Sequence, residues 1–190
     1  MELLSIASGS SGNCYYVGNE ETHLLVDAGV SGKKIETALN EIDRKPSDLN
    51  GILVTHEHID HVKGLGVMAR KHGIPIYTTG GTISEIKKMS SVGTIDDSLF
   101  HEIEPDEPFF INDLSIDASA IWHDAADPVC YSISDGKSKF SIATDMGNFD
   151  DYVVNKLKNS DIMVIEANHD IRMLQAGPYP YYLKQRILGN

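Results

Sequence analysis

The sequence predicts an α/β fold, and three observations lead to that prediction. Segments with strand-like and helix-like patterns alternate between residues 2 and 89, which is typical of a sheet whose strands are joined by crossover helices. Short strands separated by turns follow. The 190 residues are 41% hydrophobic and 23% charged, a globular composition, so we expect one domain over residues 1–190.

The first half of the chain supplies the alternation. Between its first two strands lies Ser8-Gly9-Ser10-Ser11-Gly12-Asn13, a turn of small polar residues. This turn either offers backbone N–H groups to an anion or closes a plain hairpin. The predicted elements are strands at 2–7, 14–17, 22–27, 51–55 and 74–77, with helices at 31–42, at 62–72 and from a capping box at Thr82 to Met89.

The second half is richer in strands. A turn at Asp135-Gly136 joins two of them into a hairpin, and the last strand is apolar enough to be buried. We treat His101 as an ordinary strand residue. The predicted elements are strands at 101–104, 109–111, 114–118, 129–133, 140–143 and 161–166, with a helix at 150–159 and an amphipathic, aromatic tail.

The strongest chemical signal is a run of three histidines and two carboxylates at positions 56–61. It follows a short apolar run that reads as a buried strand. His56 and His58, two apart in extended backbone, point the same way and can hold one metal. Asp60 and His61 lie past the turn and can face a second metal, which is the spacing of a two-metal hydrolytic site.

The alternatives to this interpretation are weaker. A lone histidine is usually a surface residue, but a cluster of charged groups directly after an apolar strand needs partners or metals. The metalloprotease pattern H-E-x-x-H fails, because position 60 is aspartate and not histidine. Glu57 therefore receives no catalytic role.

Two later strand ends offer further ligands. His123 follows a strand and stands beside two aspartates, so it is a candidate third ligand for the first metal. Asp145 ends another strand and can bridge two metals, because a carboxylate has two oxygens. Its alternative role is a helix N-cap, which Asn148 or Asp150 could fill instead.

Asp27 also stands at a strand end, after Leu24-Leu25-Val26. It is either a loop cap or the acceptor that orients a ligand histidine.

Together these residues resemble the metallo-β-lactamase superfamily, and within it the YycJ/WalJ group, with PhnP more distant. The resemblance implies an αββα sandwich of two facing mixed sheets with helices outside. It further implies that metal one is held by His56, His58 and His123, metal two by Asp60 and His61, with Asp145 bridging and Asp27 supporting the site without binding metal. The stretches that carry the YycJ/WalJ likeness are residues 8–13, 123–128 and 166–170.

The activity implied by the resemblance is phosphodiester hydrolysis by a metal-bound hydroxide. The substrate would be DNA, attacked as a 5′-to-3′ exonuclease linked to repair, or a small phosphodiester, with two divalent zinc or manganese ions. Asp60 would also accept a hydrogen bond from the hydroxide, and His169 would contact phosphate or protonate the leaving group. The alternatives are a metallo-hydrolase of another ester (a cyclic phosphate, a lactone or a thioester) and a catalytically silent metal-binding module.

The sequence departs from the superfamily at its C-terminal end. The family has a last histidine ligand to metal two, and here no histidine follows His169. We therefore expect an incomplete C-terminal part, a weakened second metal site, and self-association through the uncovered region.

Charge and cysteine content narrow the class of protein. A net charge of −12 argues against a broad basic surface for nucleic acid, although two divalent cations would add positive charge where phosphate must lie. Two distant cysteines and an N-terminus without signal-peptide features predict a reduced, cytoplasmic protein. No apolar run is long enough for a membrane span, so we expect no membrane partner.

Overall fold

The computed structural model of the protein describes residues 1–166, 171–178, 180–182 and 184, and these residues form two facing sheets. The first sheet has the order β1-β2-β3-β4-β5-β6 and the second has the order β11-β10-β9-β8-β7. The strands are β1 Glu2–Ala7, β2 Cys14–Gly18, β3 His23–Val26, β4 Gly51–Leu53, β5 Ile76–Thr78, β6 Phe100–Glu102, β7 Phe109–Ile111, β8 Leu114–Ala120, β9 Val129–Ser134, β10 Lys139–Ala143 and β11 Ile162–Ile165.

Helices connect the parallel strands of the first sheet. β1, β2 and β3 are antiparallel neighbours, whereas β3, β4, β5 and β6 run parallel and need crossover connections. The helices are α1 Gly32–Glu41, α2 Ile59–Val62, α3 Leu65–His72, α4 Gly80–Lys88, α5 Asp151–Leu157 and α6 Ile171–Ala176. None of them, in the described part of the chain, has the length and apolar character needed to cross a bilayer.

Alternation along the strands divides the buried side chains into layers. On β3, Leu25 packs with the helices over the first sheet, while Leu24 and Val26 pack between the two sheets. α5 covers the outer face of the second sheet through Val153 and Leu157. The expected αββα arrangement is thus confirmed, with helices outside and two sheets face to face.

The helix predicted over 62–72 is wrong in its continuity. The chain forms α2 and α3, which are separated at Gly64. The Gly64 N–H donates to the carbonyl of Ala28 at 2.7 Å, and a Cβ at this position would lie 2.2 Å from the Val30 carbonyl oxygen. The close approach of these two loops breaks the helix, and periodicity along the sequence does not reveal it.

The capping box predicted at Thr82 is also wrong. α4 begins at Gly80 with Thr79 as its N-cap residue, so Thr82 lies inside the first turn. The hydroxyls of Thr79 and Thr82 instead lie 2.8 and 3.4 Å from the Asp127 carbonyl oxygen. Both threonines therefore tie α4 to the loop after β8.

β11 exists where the sequence predicts a strand, but it is not buried. Ile162, Met163 and Ile165 are 42%, 40% and 50% exposed. Among the described residues β11 pairs only with β10 and forms the edge of the second sheet. An apolar strand pattern predicts a strand, but it does not distinguish a central strand from an edge strand.

Candidate metal centre

The predicted site residues come from the ends of strands in both sheets. The chain leaves β4 at Leu53 and passes through His56 to His58, which is the N-cap residue of α2. Asp60 and His61 then lie within α2. The loops after β8 and β10 bring His123 and Asp145 to the same place.

The first group consists of His56, His58 and His123. One ring nitrogen from each lies within 4.8 Å of the others. The ring centroid of His56 is 4.6 Å from that of His58 and 4.7 Å from that of His123. The structure therefore brings together the three histidines that the sequence assigns to the first metal.

The second group consists of His56, His61 and Asp145, again with ligand atoms within 4.8 Å of one another. Oδ2 of Asp145 lies 2.6 Å from Nε2 of His61. The Asp60 carboxylate is more distant, with Oδ2 3.9 Å from the same nitrogen, and it belongs to neither tight group. His56 is common to both groups, so the two candidate sites overlap at one imidazole.

Two atoms of the second group fit a bound cation. Nε2 of His56 and Oδ2 of Asp145 are buried, and neither has a hydrogen-bond partner among the described residues; the close approach of His61 to Asp145 is poorly directed for a hydrogen bond. Leaving buried polar atoms unpaired is costly. Imidazole nitrogens with a carboxylate oxygen are a donor set suited to zinc or manganese, so the residues present fit a divalent metal.

Asp27 supports this site through a wholly buried network. Its Oδ2 accepts from Nδ1 of His61 at 2.8 Å, and its Oδ1 accepts from the Thr55 backbone N–H at 2.8 Å. The Thr55 hydroxyl also lies 3.0 Å from Nδ1 of His56. The sequence allows two roles for Asp27, a loop cap or an acceptor that orients a ligand histidine. In the structure Asp27 is the acceptor that orients His61.

Asn13 is a residue of the site that sequence reasoning missed. Its Oδ1 accepts from the Gly9 N–H at 3.0 Å, which fixes the amide so that Nδ2 lies 3.0 Å from Nε2 of His61. Its backbone N–H donates to the carbonyl of Asp60 at 2.7 Å. The small polar turn over 8–13 thus packs against the metal ligands, although its composition alone indicates only a turn.

Asp145 has a backbone conformation that few residues adopt. Its φ is 53°, in the left-handed region, and its N–H donates to Oε2 of Glu166 at 2.5 Å. The alternative role as a helix cap is filled by Asp150, whose Oδ1 accepts from the Val153 N–H. Strained backbone held in place by a side chain is common at functional sites.

Burial and charge give the two central histidines opposite pKa shifts. Burial, helped by the imidazoles around it, lowers the pKa of His56 to about 2. Burial opposes a charge on His61 too, but the carboxylates of Asp27 and Asp145 raise its pKa to about 10. Without metal at neutral pH, His56 is therefore neutral and keeps a free lone pair on Nε2, whereas the carboxylates beside His61 favour its charged form.

The loop that carries His123 is fixed by contacts outside the histidine cluster. Oε1 of Glu57 accepts from the Ala126 N–H at 2.8 Å. On its other side the loop is tied to α4 by the two threonine hydroxyls already described. Glu57 thus has a structural contact, and His169, the last predicted site residue, lies outside the described residues.

Comparison with known proteins places this geometry in a family. A beta-lactamase superfamily domain matches residues 22–178. The chain belongs to that superfamily. Its membership accounts for the two-sheet sandwich and for the position of histidines and aspartates at the ends of strands.

Two curated members of the superfamily are similar over nearly the whole chain. Exodeoxyribonuclease WalJ of Streptococcus pneumoniae is 42% identical over 185 residues, which are 97% of this chain and 69% of the relative. Exodeoxyribonuclease YycJ of Bacillus anthracis is 38% identical over the same shares of both chains. A superfamily member with such relatives is a metal-dependent hydrolase.

A solved structure supports the fold independently. YhfI of Bacillus subtilis, described as a metallo-beta-lactamase fold protein, superposes with a TM-score of 0.67 over 88% of this chain and 73% of that chain. The sequence identity is 17%, so the likeness concerns the fold alone.

Proposed function

We propose that this protein is a metal-dependent exonuclease that hydrolyses phosphodiester bonds of DNA from the 5′ end. The observation that carries the proposal is the convergence of four imidazoles and the Asp145 carboxylate on one place. Two cations held by such a cluster would suit the clamping of an attacking and a leaving oxygen. The names of the two similar exodeoxyribonucleases support DNA as the substrate class.

In this proposal His56, His58 and His123 would hold one divalent metal, Asp60 and His61 would hold the other, and Asp145 would bridge the two. When bound, the metals supply Lewis acidity and a nucleophile at neutral pH. Asp27 and Thr55 keep the rings of His61 and His56 turned toward the site, which preorganises the donors. Glu166 and the left-handed backbone hold Asp145 against His61.

Asp60 and His169 are the residues that we propose to bind or transfer protons during hydrolysis. The Asp60 side chain is 28% exposed while its Oδ2 lies 3.9 Å from Nε2 of His61, so the carboxylate borders both the ligands and solvent. It can accept a hydrogen bond from the attacking water. The role of His169 in phosphate contact or leaving-group protonation stays a prediction.

The finer attributes belong to the same proposal. Zinc or manganese suits the imidazole and carboxylate donors. A role in DNA repair and a cytoplasmic location belong to this proposal. Both cysteines are free and buried, which agrees with a reducing compartment.

The decisive experiment measures metal content and hydrolysis on the same samples. Purified protein is analysed for metal ions per chain and then given single- and double-stranded DNA labelled at either end. Asp145→Ala and His58→Ala should lose most of the metal and activity together, while His101→Ala, which removes an exposed histidine stacked on Tyr77, should keep both. Full activity of Asp145→Ala at equal metal loading would overturn the proposed site.

Two rival functions make different predictions. A hydrolase of another ester would cleave lactones, thioesters or cyclic phosphates faster than DNA, since the fold alone does not choose the substrate. A catalytically silent module would bind metal or nucleic acid and release no nucleotide from either end. Release of nucleotides from the 3′ end would retain the exonuclease but overturn its polarity.

A further inference from the structure

Trp122, the only tryptophan of the chain, is 66% exposed beside the candidate metal centre. It directly precedes His123, so its Cα lies about 3.8 Å from that of a candidate ligand. The indole therefore belongs to the chain segment that supplies a candidate metal ligand. A large exposed aromatic side chain next to a site is a candidate contact for a ligand, because it combines a wide apolar face with a polar N–H.

The backbone of Trp122 connects the loop after β8, which supplies His123, to the loop after β10, which supplies Asp145. Trp122 forms an isolated antiparallel bridge with Asn148, and its carbonyl accepts from the Gly147 N–H at 2.7 Å. Gly147 in turn lies two residues after Asp145. Phe149, which follows the bridge partner, is also 66% exposed. The aromatic residues are thus fixed to the segments that carry His123 and Asp145.

The negative charge of these segments disfavours purely electrostatic binding of DNA. Residues 122–128 and 144–151 contain five aspartates and no lysine or arginine. The whole chain has a net charge of −12. Phosphate contacts alone would therefore provide little affinity away from the metals. Stacking of bases on aromatic side chains does not depend on charge and tolerates every base.

We propose that Trp122, with Phe149 near it, is a stacking platform for a base of single-stranded DNA. The base lies on the indole and the adjoining phosphodiester is directed to the metal ligands. This inference rests on the proposed function, because it takes a DNA strand as the substrate of the same site. It makes Trp122 a positioning residue that distinguishes nucleic acid from esters without a base.

The lone tryptophan gives a direct readout that needs no turnover. The full chain is kept in chelator, and its tryptophan fluorescence is followed while a single-stranded oligonucleotide is added. We expect quenching by the normal strand and little quenching by a strand of the same length with abasic sites at its 5′ end. Equal quenching by both strands, or by neither, overturns the platform.

Affinity and catalysis are then compared among matched variants. With a fluorescently labelled strand, Trp122→Ala should bind about tenfold more weakly, and Trp122→Phe should recover most of the affinity. Phe110→Ala, which removes a 70% exposed aromatic ring from β7, is the control and should bind like the parent. Equal affinity of Trp122→Ala and the parent contradicts the inference.

In the hydrolysis assay with metal, kcat/KM of Trp122→Ala should fall mainly through KM on the normal strand. The difference from the parent should disappear on the abasic strand. If quenching and its loss on the abasic strand are seen without any hydrolysis, the exonuclease proposal fails and base stacking stands. If DNA is hydrolysed with equal KM by parent and Trp122→Ala, the stacking platform fails and the exonuclease stands. Quenching that follows protein concentration without DNA would identify a second copy of the chain as the occupant and overturn the proposal.

Discussion

At the scale of single residues, Asp27 has both carboxylate oxygens engaged and neither exposed. Oδ1 accepts from the Thr55 N–H, and Oδ2 accepts from Nδ1 of His61. In Asp27→Asn one of these donors must face an NH₂ group, so either the strand end or the imidazole loses its acceptor. We expect metal affinity to fall about 10- to 100-fold, as measured by calorimetric titration of zinc into the stripped protein.

Asp97→Asn is the matched control for this change, because Asp97 pairs with Lys87 at an exposed surface. It should bind metal like the parent. If Asp27→Asn bound metal with parental affinity, the buried network would be structural packing without influence on the ligands.

The residue scale also shows which parts of the site can be predicted from the sequence. His56, His58 and His61 are close in sequence, so their spacing after a strand is enough to propose a shared metal. Asn13 and Asp27 meet His61 across 48 and 34 residues of chain. Such contacts arise from the packing of loops, and local composition indicates only a turn or a strand end at either position.

At the scale of elements, Gly29 marks the closest approach of three loops. Its N–H donates to the carbonyl of Asn13, whose own N–H donates to the carbonyl of Asp60. A Cβ on Gly29 would lie 1.6 Å from the Asp60 carbonyl oxygen and 2.7 Å from the Asn13 nitrogen. Because backbone atoms must move, we expect Gly29→Ala to lower the free energy of unfolding by about 2 kcal/mol or more.

Urea unfolding and metal titration together measure this effect, since a shift of Asp60 also displaces His61. The control is Gly80→Ala, whose Cβ would meet the flexible end of the Glu102 side chain. It should leave metal binding unchanged. A Gly29→Ala protein with parental stability would mean that the loops separate easily.

Asp113 joins a turn of the second sheet to a turn of the first. Its carboxylate accepts from the Thr22 hydroxyl at 2.5 Å and from the Asn19 amide at 2.6 Å. The Thr22 hydrogen bond lowers the pKa of Asp113 below its ordinary value of 3.8. A carboxyl with a lowered pKa in the folded chain stabilises it above the ordinary value, and that stability is lost as pH falls through the folded value.

We therefore expect Asp113→Asn to be less stable than the parent in urea at pH 7, with a smaller difference at about pH 3. Glu20→Gln, which removes an exposed carboxylate from the same turn of the first sheet, should follow the parent at both values. A difference that grows on acidification would mean that Asp113 acts through something other than its charge.

The elements themselves could be predicted in order and type, because alternating strand and helix patterns depend on local sequence. What failed was decided by tertiary contacts. Gly64 breaks a predicted helix where it contacts Val30. The Thr82 hydroxyl contacts the Asp127 carbonyl and does not cap a helix. Among the described residues no strand pairs with the outer edge of β11, and no local pattern of sequence contains that information.

At the scale of the whole molecule, the exposed edge formed by β11 bears on association. Self-association stays a prediction, and light scattering over a range of protein concentrations tests it. Exposed Ile162, Met163 and Ile165 favour burial against another surface. Met163→Lys should then shift the mass toward the monomer, whereas a monomeric parent with a high melting temperature would contradict association.

Metal binding should control the stability of the whole fold, because the four imidazoles of the centre connect both sheets. His56 and His61 come from loops of the first sheet, whereas His123 and Asp145 come from the second. A ligand that binds only the folded chain stabilises it by about 2.7 kcal/mol at 100 times its dissociation constant. Zinc or manganese should therefore raise the melting temperature, and a chelator should reverse the rise.

Variants of single ligands separate the contributions of the two metal sites to the rise in melting temperature. His56→Ala removes a ligand of the first metal that also adjoins the second group and should lose most of the rise in melting temperature. His58→Ala should keep part of it through His61 and Asp145, and His101→Ala should keep all of it. Elemental analysis should find two ions per parent chain when the second group is complete. One ion per chain, with the full rise retained by His61→Ala, would restrict the centre to the three histidines of the first group and remove the basis for a two-metal exonuclease.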